Sequence, residues 1–168
     1  MAMKGDPAII RLLNAVLTNE LTAVNQYFLH ARMFESWGLK HLGEIIYQES
    51  IGEMKHADML IKRVLFLDGL PNMQDLHKLS IGENAIECLN ADLKLELDSR
   101  SVLIPGIAQC EAAGDYISRQ ILTAILADTE EHIDFLETQN ILIGQIGEQN
   151  YLQSAMTEIS PDKSATGN

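Results

Sequence analysis

The sequence predicts an all-α chain: four long helices in two hairpins joined by one long crossover, with a short fifth C-terminal helix. Three observations predict it. Apolar residues recur at three- and four-residue spacing in four long runs. The breaks after the first and third runs are tight, whereas the break after the second is long. No stretch shows the alternation of a half-buried strand.

The first helix starts at Asp6-Pro7, with Asp as N-cap and Pro in the first turn. Leu13, Val16, Leu17, Val24, Tyr27, Ala31 and Phe34 carry its apolar stripe to about Ser36, and Gly38 marks the stop. The second run, through Ile46, Ala57, Leu60, Val64 and Leu67, ends at Gly69-Leu70-Pro71. So short a connection makes the two helices antiparallel neighbours. The pattern lapses from Pro71 to about Gly82, the crossover. The third helix is expected from about Glu83 to Ala112, with Leu89, Leu93, Leu103 and Ile107 on one face and a kink near residues 101–105, caused by Pro105. The fourth is expected from Asp115 to Ile143, with Ile121, Ile125, Leu136 and Ile143 inward. Gly144 and Gly147 break it, and a last helix spans about Glu148 to Thr157. The domain is read as residues 1–158, and the polar residues 159–168 as a disordered tail.

With 168 residues the chain can bury one sizeable core. Its net charge of −12 argues against a nucleic-acid partner and favours cations. No apolar run approaches the ~20 residues needed to span a bilayer, and no leader pattern opens the sequence, so a cytoplasmic protein is expected. Cys88 and Cys110 are far apart and read as reduced thiols.

Each apolar stripe is interrupted near mid-length by an ionisable residue: Glu20, then Glu53 with His56, then Glu96, then His132. One buried carboxylate is costly. Four helices placing such groups at one height call for a cation, and carboxylate with imidazole suits iron, manganese or zinc. Glu from two helices plus Glu-x-x-His from the other two is the pattern of the di-iron carboxylate proteins, in a bundle of ferritin-like connectivity. Glu53-x-x-His56 is a complete pair, and Glu53 is the bridging candidate. The other pair is broken, because Thr129 stands three residues before His132. Either Asp128, about 40° from His132 on the helix, replaces the lost carboxylate directly or through water, or the site lacks a bridge.

A second stripe lies about 100° or more round the second helix: Tyr47, Ile51, Met54, Ile61 and Leu65. Leu21 and Phe28, with Asn25, repeat it on the first. Two apolar faces on neighbouring helices imply a subunit interface, an isologous dimer. Met54, in its middle, is either a packing residue or an axial haem ligand, two copies meeting one iron across the two-fold axis.

At these residues the sequence resembles the bacterioferritins over almost its whole length. The segments that carry the likeness include LTNELTAVNQYFLHARMFESWGLKHL, YQESIGEMKHAD, VLFLDGLPNMQDLHKLSIGE and EEHIDFLETQNILIGQIGEQNYLQS. The resemblance implies iron storage in a 24-subunit shell of two-fold dimers, ferroxidase oxidation of Fe(II) by oxygen or peroxide, and haem b bound at each two-fold interface. It makes Glu20, Glu53, His56, Glu96 and His132 ferroxidase ligands and Met54 the haem ligand. Leu21, Asn25, Phe28, Tyr47 and Ile51 fall in the haem pocket, and Tyr27 beside the di-iron centre. A ferredoxin-type reductant is the implied partner. Four positions depart from the family pattern. Thr129 replaces the sixth ligand, Gln48 and Gly52 stand where some members have His and Asp, and Phe135 replaces a tryptophan. The alternative reading is therefore a haem-binding, electron-transfer subunit with an impaired di-iron site, co-assembled as a hetero-oligomer with a ferroxidase-complete subunit.

Overall fold

Five helices make up the fold in the computed structural model, which describes residues 4–156: α1 Pro7–Ser36, α2 Lys40–Phe66, α3 Ala85–Ala112, α4 Tyr116–Ile146 and α5 Glu148–Ser154. No strand occurs among the described residues. The expected tail, and the end of the last helix at Thr157, lie outside them. α1 packs on α2 and α3 on α4, and the hairpins meet through α1 against α3 and α2 against α4.

The helix ends follow from local chemistry. The Asp6 carboxylate accepts the Ala8 N–H at 2.8 Å, with Pro7 in the first turn. α3 begins at Ala85 rather than Glu83, because Asn84 is the residue that caps it: its side chain accepts the Glu87 N–H, and the Glu87 carboxylate accepts the Glu83 N–H. Asp115 caps α4 through the Ser118 N–H. Gly38 (φ +85°) and Gly114 (φ +70°) turn the chain between paired helices in the left-handed region that a side chain disfavours.

Gly144 does not stop α4, which runs on to Ile146. A lone glycine costs a helix only about 1 kcal/mol relative to Ala, less than this long helix gains elsewhere. Pro105 lies inside α3, which continues to Ala112 as expected. The inward faces are shifted slightly from those expected. In α3 the buried positions are Ala85, Cys88, Leu89, Asp92, Glu96, Ser99, Leu103, Gly106 and Cys110, with Leu93 and Ile107 at the edge. In α4 Leu122, not Ile121, points inward. Both cysteines are buried free thiols.

The apolar interior is divided. One cluster, around Leu13, Leu17, Leu60, Leu103 and Ile125, fills the end near the start of α1. The other, around Tyr27, Phe34, Ile46, Leu89 and Leu136, fills the opposite end and takes in Tyr151 of α5. Between them lies a polar layer. α5 also closes the start of α2, where Leu39 offers no side-chain cap: the Ala155 carbonyl accepts the His41 and Leu42 N–H groups at 3.1 and 3.2 Å.

The crossover is held by polar residues of α1 that the apolar reading passed over. Asn14 bonds Leu70 and Asn72, Thr22 accepts the His77 N–H, Gln26 the Ser80 N–H and His30 the Gly82 N–H. Their spacing was the available signal: Asn19, whose Oδ1 lies 2.8 Å from His77 Nε2, then Thr22, Gln26 and His30 recur at three- and four-residue steps. Beneath them His30 Nδ1 donates to Asp92 at 2.8 Å, and Gln26 donates to the same oxygen at 2.9 Å.

Candidate metal centre

The polar layer is where the four interrupted stripes meet. Glu20, Glu53 and His56 bring ligand atoms within 4.8 Å of one another, and so do Glu53, Glu96 and His132. All five residues are buried. Glu53 belongs to both groups. The helices set this up by register: Glu53 and His56 share the inward face of α2, and Glu20, Glu96 and His132 sit at matching height on the other three.

In each group the imidazole Nδ1 faces the carboxylates. His56 Nδ1 lies 3.0 Å from Glu53 and 3.4 Å from Glu20. His132 Nδ1 lies 3.0 Å from Glu96 and 3.7 Å from Glu49. Tyr27 donates a short hydrogen bond to Glu96, and its ring meets that of His132 edge-on at 5.3 Å.

Burial of so many like charges shifts their proton affinities. Desolvation, then the neighbouring Glu20, pushes Glu53 up to about 8. Desolvation and Glu53 push Glu96 up to about 7. Desolvation opposes the charged form of His56, yet hydrogen bonds to Glu20 and Glu53 outweigh it and raise it to about 11. Burial and the surrounding carboxylates hold the Tyr27 hydroxyl well above its usual value. Protons therefore satisfy this layer when no cation does. Even so, Glu20 Oε1 and His132 Nε2 are buried without a partner. An array of hard oxygen and imidazole donors with such orphaned atoms fits a pair of divalent cations.

Residues 10–145 match the ferritin family, as a ferritin-like domain. The chain is 50% identical over 149 residues to the bacterioferritin of Mycobacterium leprae, covering 89% of this chain and 94% of that protein. It is 49% identical to the bacterioferritin of Brucella melitensis, covering 90% and 94%, and 45% identical to that of Streptomyces coelicolor, covering 98% and 99%. The chain belongs to the bacterioferritin family. Iron storage is the function this membership supports, and no helix among the described residues is long and apolar enough to cross a membrane.

Against that family's pattern, Thr129 is 2% exposed and sits inside the layer as a neutral side chain. Asp128 joins neither ligand group. Its side chain is 64% exposed, and its Oδ2 accepts from His56 Nε2 at 2.7 Å, on the far side of the ring from Glu53. Glu49 was not foreseen as a site residue. The signal was present, since it lies one turn before Glu53 on the same face of α2. With Gln48, Gly52, Glu131 and Phe135 it lines a cavity of about 360 Å³ over the metal groups.

The second stripe is on the outside of the α1–α2 pair. Met54 is 52% exposed and Phe28 48%. Leu21 and Ile51 are half-buried, while Asn25 is exposed and turns its amide back to the Leu21 carbonyl. The Phe28 and Tyr47 rings lie 6.3 Å apart, and the Arg32 guanidinium covers both.

Proposed function

We propose that this bacterioferritin chain oxidises Fe(II) at the Glu20, Glu53, His56, Glu96 and His132 centre and stores the ferric product inside a 24-subunit cytoplasmic shell. The observation that carries the reading is that one carboxylate, Glu53, belongs to two buried Glu/His groups at once. Two iron ions so bridged could each give one electron to a shared oxygen or peroxide molecule. The chain's own residues bind and orient: Glu20 with His56 and Glu96 with His132 take one iron each, and Glu53 spans them. Tyr27 holds Glu96 in place, and the acidic surface draws cations towards the protein.

Haem b belongs to the same proposal. Exposed Met54, Phe28, Leu65 and Phe66 leave an apolar face on α1 and α2 that a second subunit would cover. Met54 from each subunit would ligate the haem, with Leu21, Asn25, Phe28, Tyr47 and Ile51 as its surroundings. Bound there, haem supplies a one-electron path into the shell, for which a ferredoxin-type protein is the reductant.

A second reading rests on Thr129. Loss of a carboxylate there weakens one iron position, so this chain could serve as the haem-binding, electron-transfer subunit beside a ferroxidase-complete one. The purified homo-oligomer decides between them. Rapid consumption of Fe(II), abolished by Glu53→Ala, supports the first reading. Oxidation that is slow until Thr129→Glu is introduced supports the second.

A further inference from the structure

Position 129 leaves the metal layer short of a ligand and of a charge. Two divalent ions bring four positive charges, whereas Glu20, Glu53 and Glu96 bring three negative ones. One positive charge would remain in a layer closed off by apolar clusters on both sides, and an uncompensated buried charge is costly. Thr129 cannot supply the missing carboxylate.

Glu49 is placed to do so. It precedes Glu53 by one turn and His56 by two, on the inward face of α2. Its Oε2 lies 3.7 Å from His132 Nδ1, the nitrogen that also faces Glu96 at 3.0 Å. Ligand atoms about 2.0–2.2 Å from one shared metal stand roughly 3–4 Å apart, so this separation suits an ion shared with His132, while Glu49 stands outside the group of Glu53, Glu96 and His132 and must turn inward to join it. Glu49 is held less tightly than the five buried residues. Its side chain is 36% exposed, and beside it on α2 a Cβ at Gly52 would meet nothing within 4 Å. It therefore has room to swing between the cavity and His132. Of the other carboxylates at the cavity, Asp128 is engaged by His56 at the first metal position and Glu131 is exposed on α4.

We propose that Glu49 supplies the carboxylate that position 129 lacks, as a ligand to the metal held by Glu53, Glu96 and His132. The inference rests on the two-metal reading above. It makes the second position complete in ligand number and the two-ion layer neutral, with the last ligand contributed by α2 instead of α4. Because that ligand is half-exposed, the second ion binds more weakly than the first.

Co(II) titration of the chelator-treated, assembled protein tests it, with visible absorption reporting ligand-field bands and sedimentation confirming an intact shell. The wild type is expected to bind two Co(II) per subunit in a strong and a weaker step. Glu49→Gln should weaken the second step by about tenfold or more and leave the first unchanged, and adding Thr129→Glu to that variant should restore two-step binding. Unchanged titration in Glu49→Gln, or no restoration in the double variant, overturns the assignment while the metal centre stands. A wild type that binds one Co(II) also overturns it. A wild type that binds none overturns the two-metal reading with it.

Discussion

Asp128 Oδ2 lies 2.7 Å from His56 Nε2, while the same ring turns Nδ1 to Glu53 at 3.0 Å. A metal taken at Nδ1 leaves Nε2 as an N–H donor, and Asp128 is the carboxylate that accepts it. Such partners fix the tautomer and ring orientation of a ligating histidine. We expect Asp128→Ala to weaken the first Co(II) step by about 10- to 100-fold and to leave the second nearly unchanged. Equal weakening of both steps would assign Asp128 a general electrostatic role instead.

Met54 is half-exposed on an apolar face and belongs to neither apolar cluster of the bundle. Met54→Leu keeps its volume and removes the thioether. The variant should assemble normally and lose haem absorbance after reconstitution. A haem spectrum that survives the substitution would discard Met54 as the ligand.

Proton affinities in the metal layer set a pH dependence whose sign can be worked out. Glu53 and Glu96 rise from an ordinary value of 4.5 to about 8 and about 7, and His56 from 6.5 to about 11. The folded state thus holds protons that the unfolded chain releases, so stability falls as pH rises. For the carboxylates the contribution is complete below their unfolded value and is lost as pH rises through about 7 and 8. For His56 it is complete below 6.5 and is lost through about 11. Chelator-treated protein should therefore melt at a lower temperature at pH 9 than at pH 6. Saturating Co(II) should shrink that difference, because the metal replaces the protons. A chelated protein whose melting temperature does not fall over this range would contradict the shifts.

His30 and Asp92 form a fully buried pair whose histidine also accepts the Gly82 N–H from the crossover. Removing His30 leaves the buried Asp92 carboxylate with the Gln26 amide as its one remaining side-chain donor. His30→Ala should cost roughly 3–5 kcal/mol in denaturant unfolding, and hydrogen exchange should accelerate at Gly82 and Ser80 first. Uniform exchange across the bundle would show that the pair does not anchor the crossover.

Much of this was legible in one dimension. Helix periodicity is local, so Leu13, Ile46, Leu89 and Ile125 marked four inward faces without any knowledge of their partners. An ionisable residue inside each stripe has few inexpensive explanations, so Glu20, Glu53, His56, Glu96 and His132 stood out from their spacing alone. The gap at Thr129 was equally plain. Polar residues that serve the fold were harder to find. Asn19, Thr22, Gln26 and His30 face an irregular crossover, whose path no periodicity encodes.

By itself, the sequence determined the number of helices, the hairpin connectivity, the inward ionisable residues and the outward apolar stripe around Met54. Each of these depends on which residues share a face of one helix, which the repeat of the α-helix dictates. Only the tertiary structure decided how α2 and α4 stand against each other. That relation turns Asp128 towards His56 instead of into the gap beside His132, and brings Glu49 to within 3.7 Å of His132. Distances between side chains on different helices come from packing and register, and those are properties of the assembled bundle.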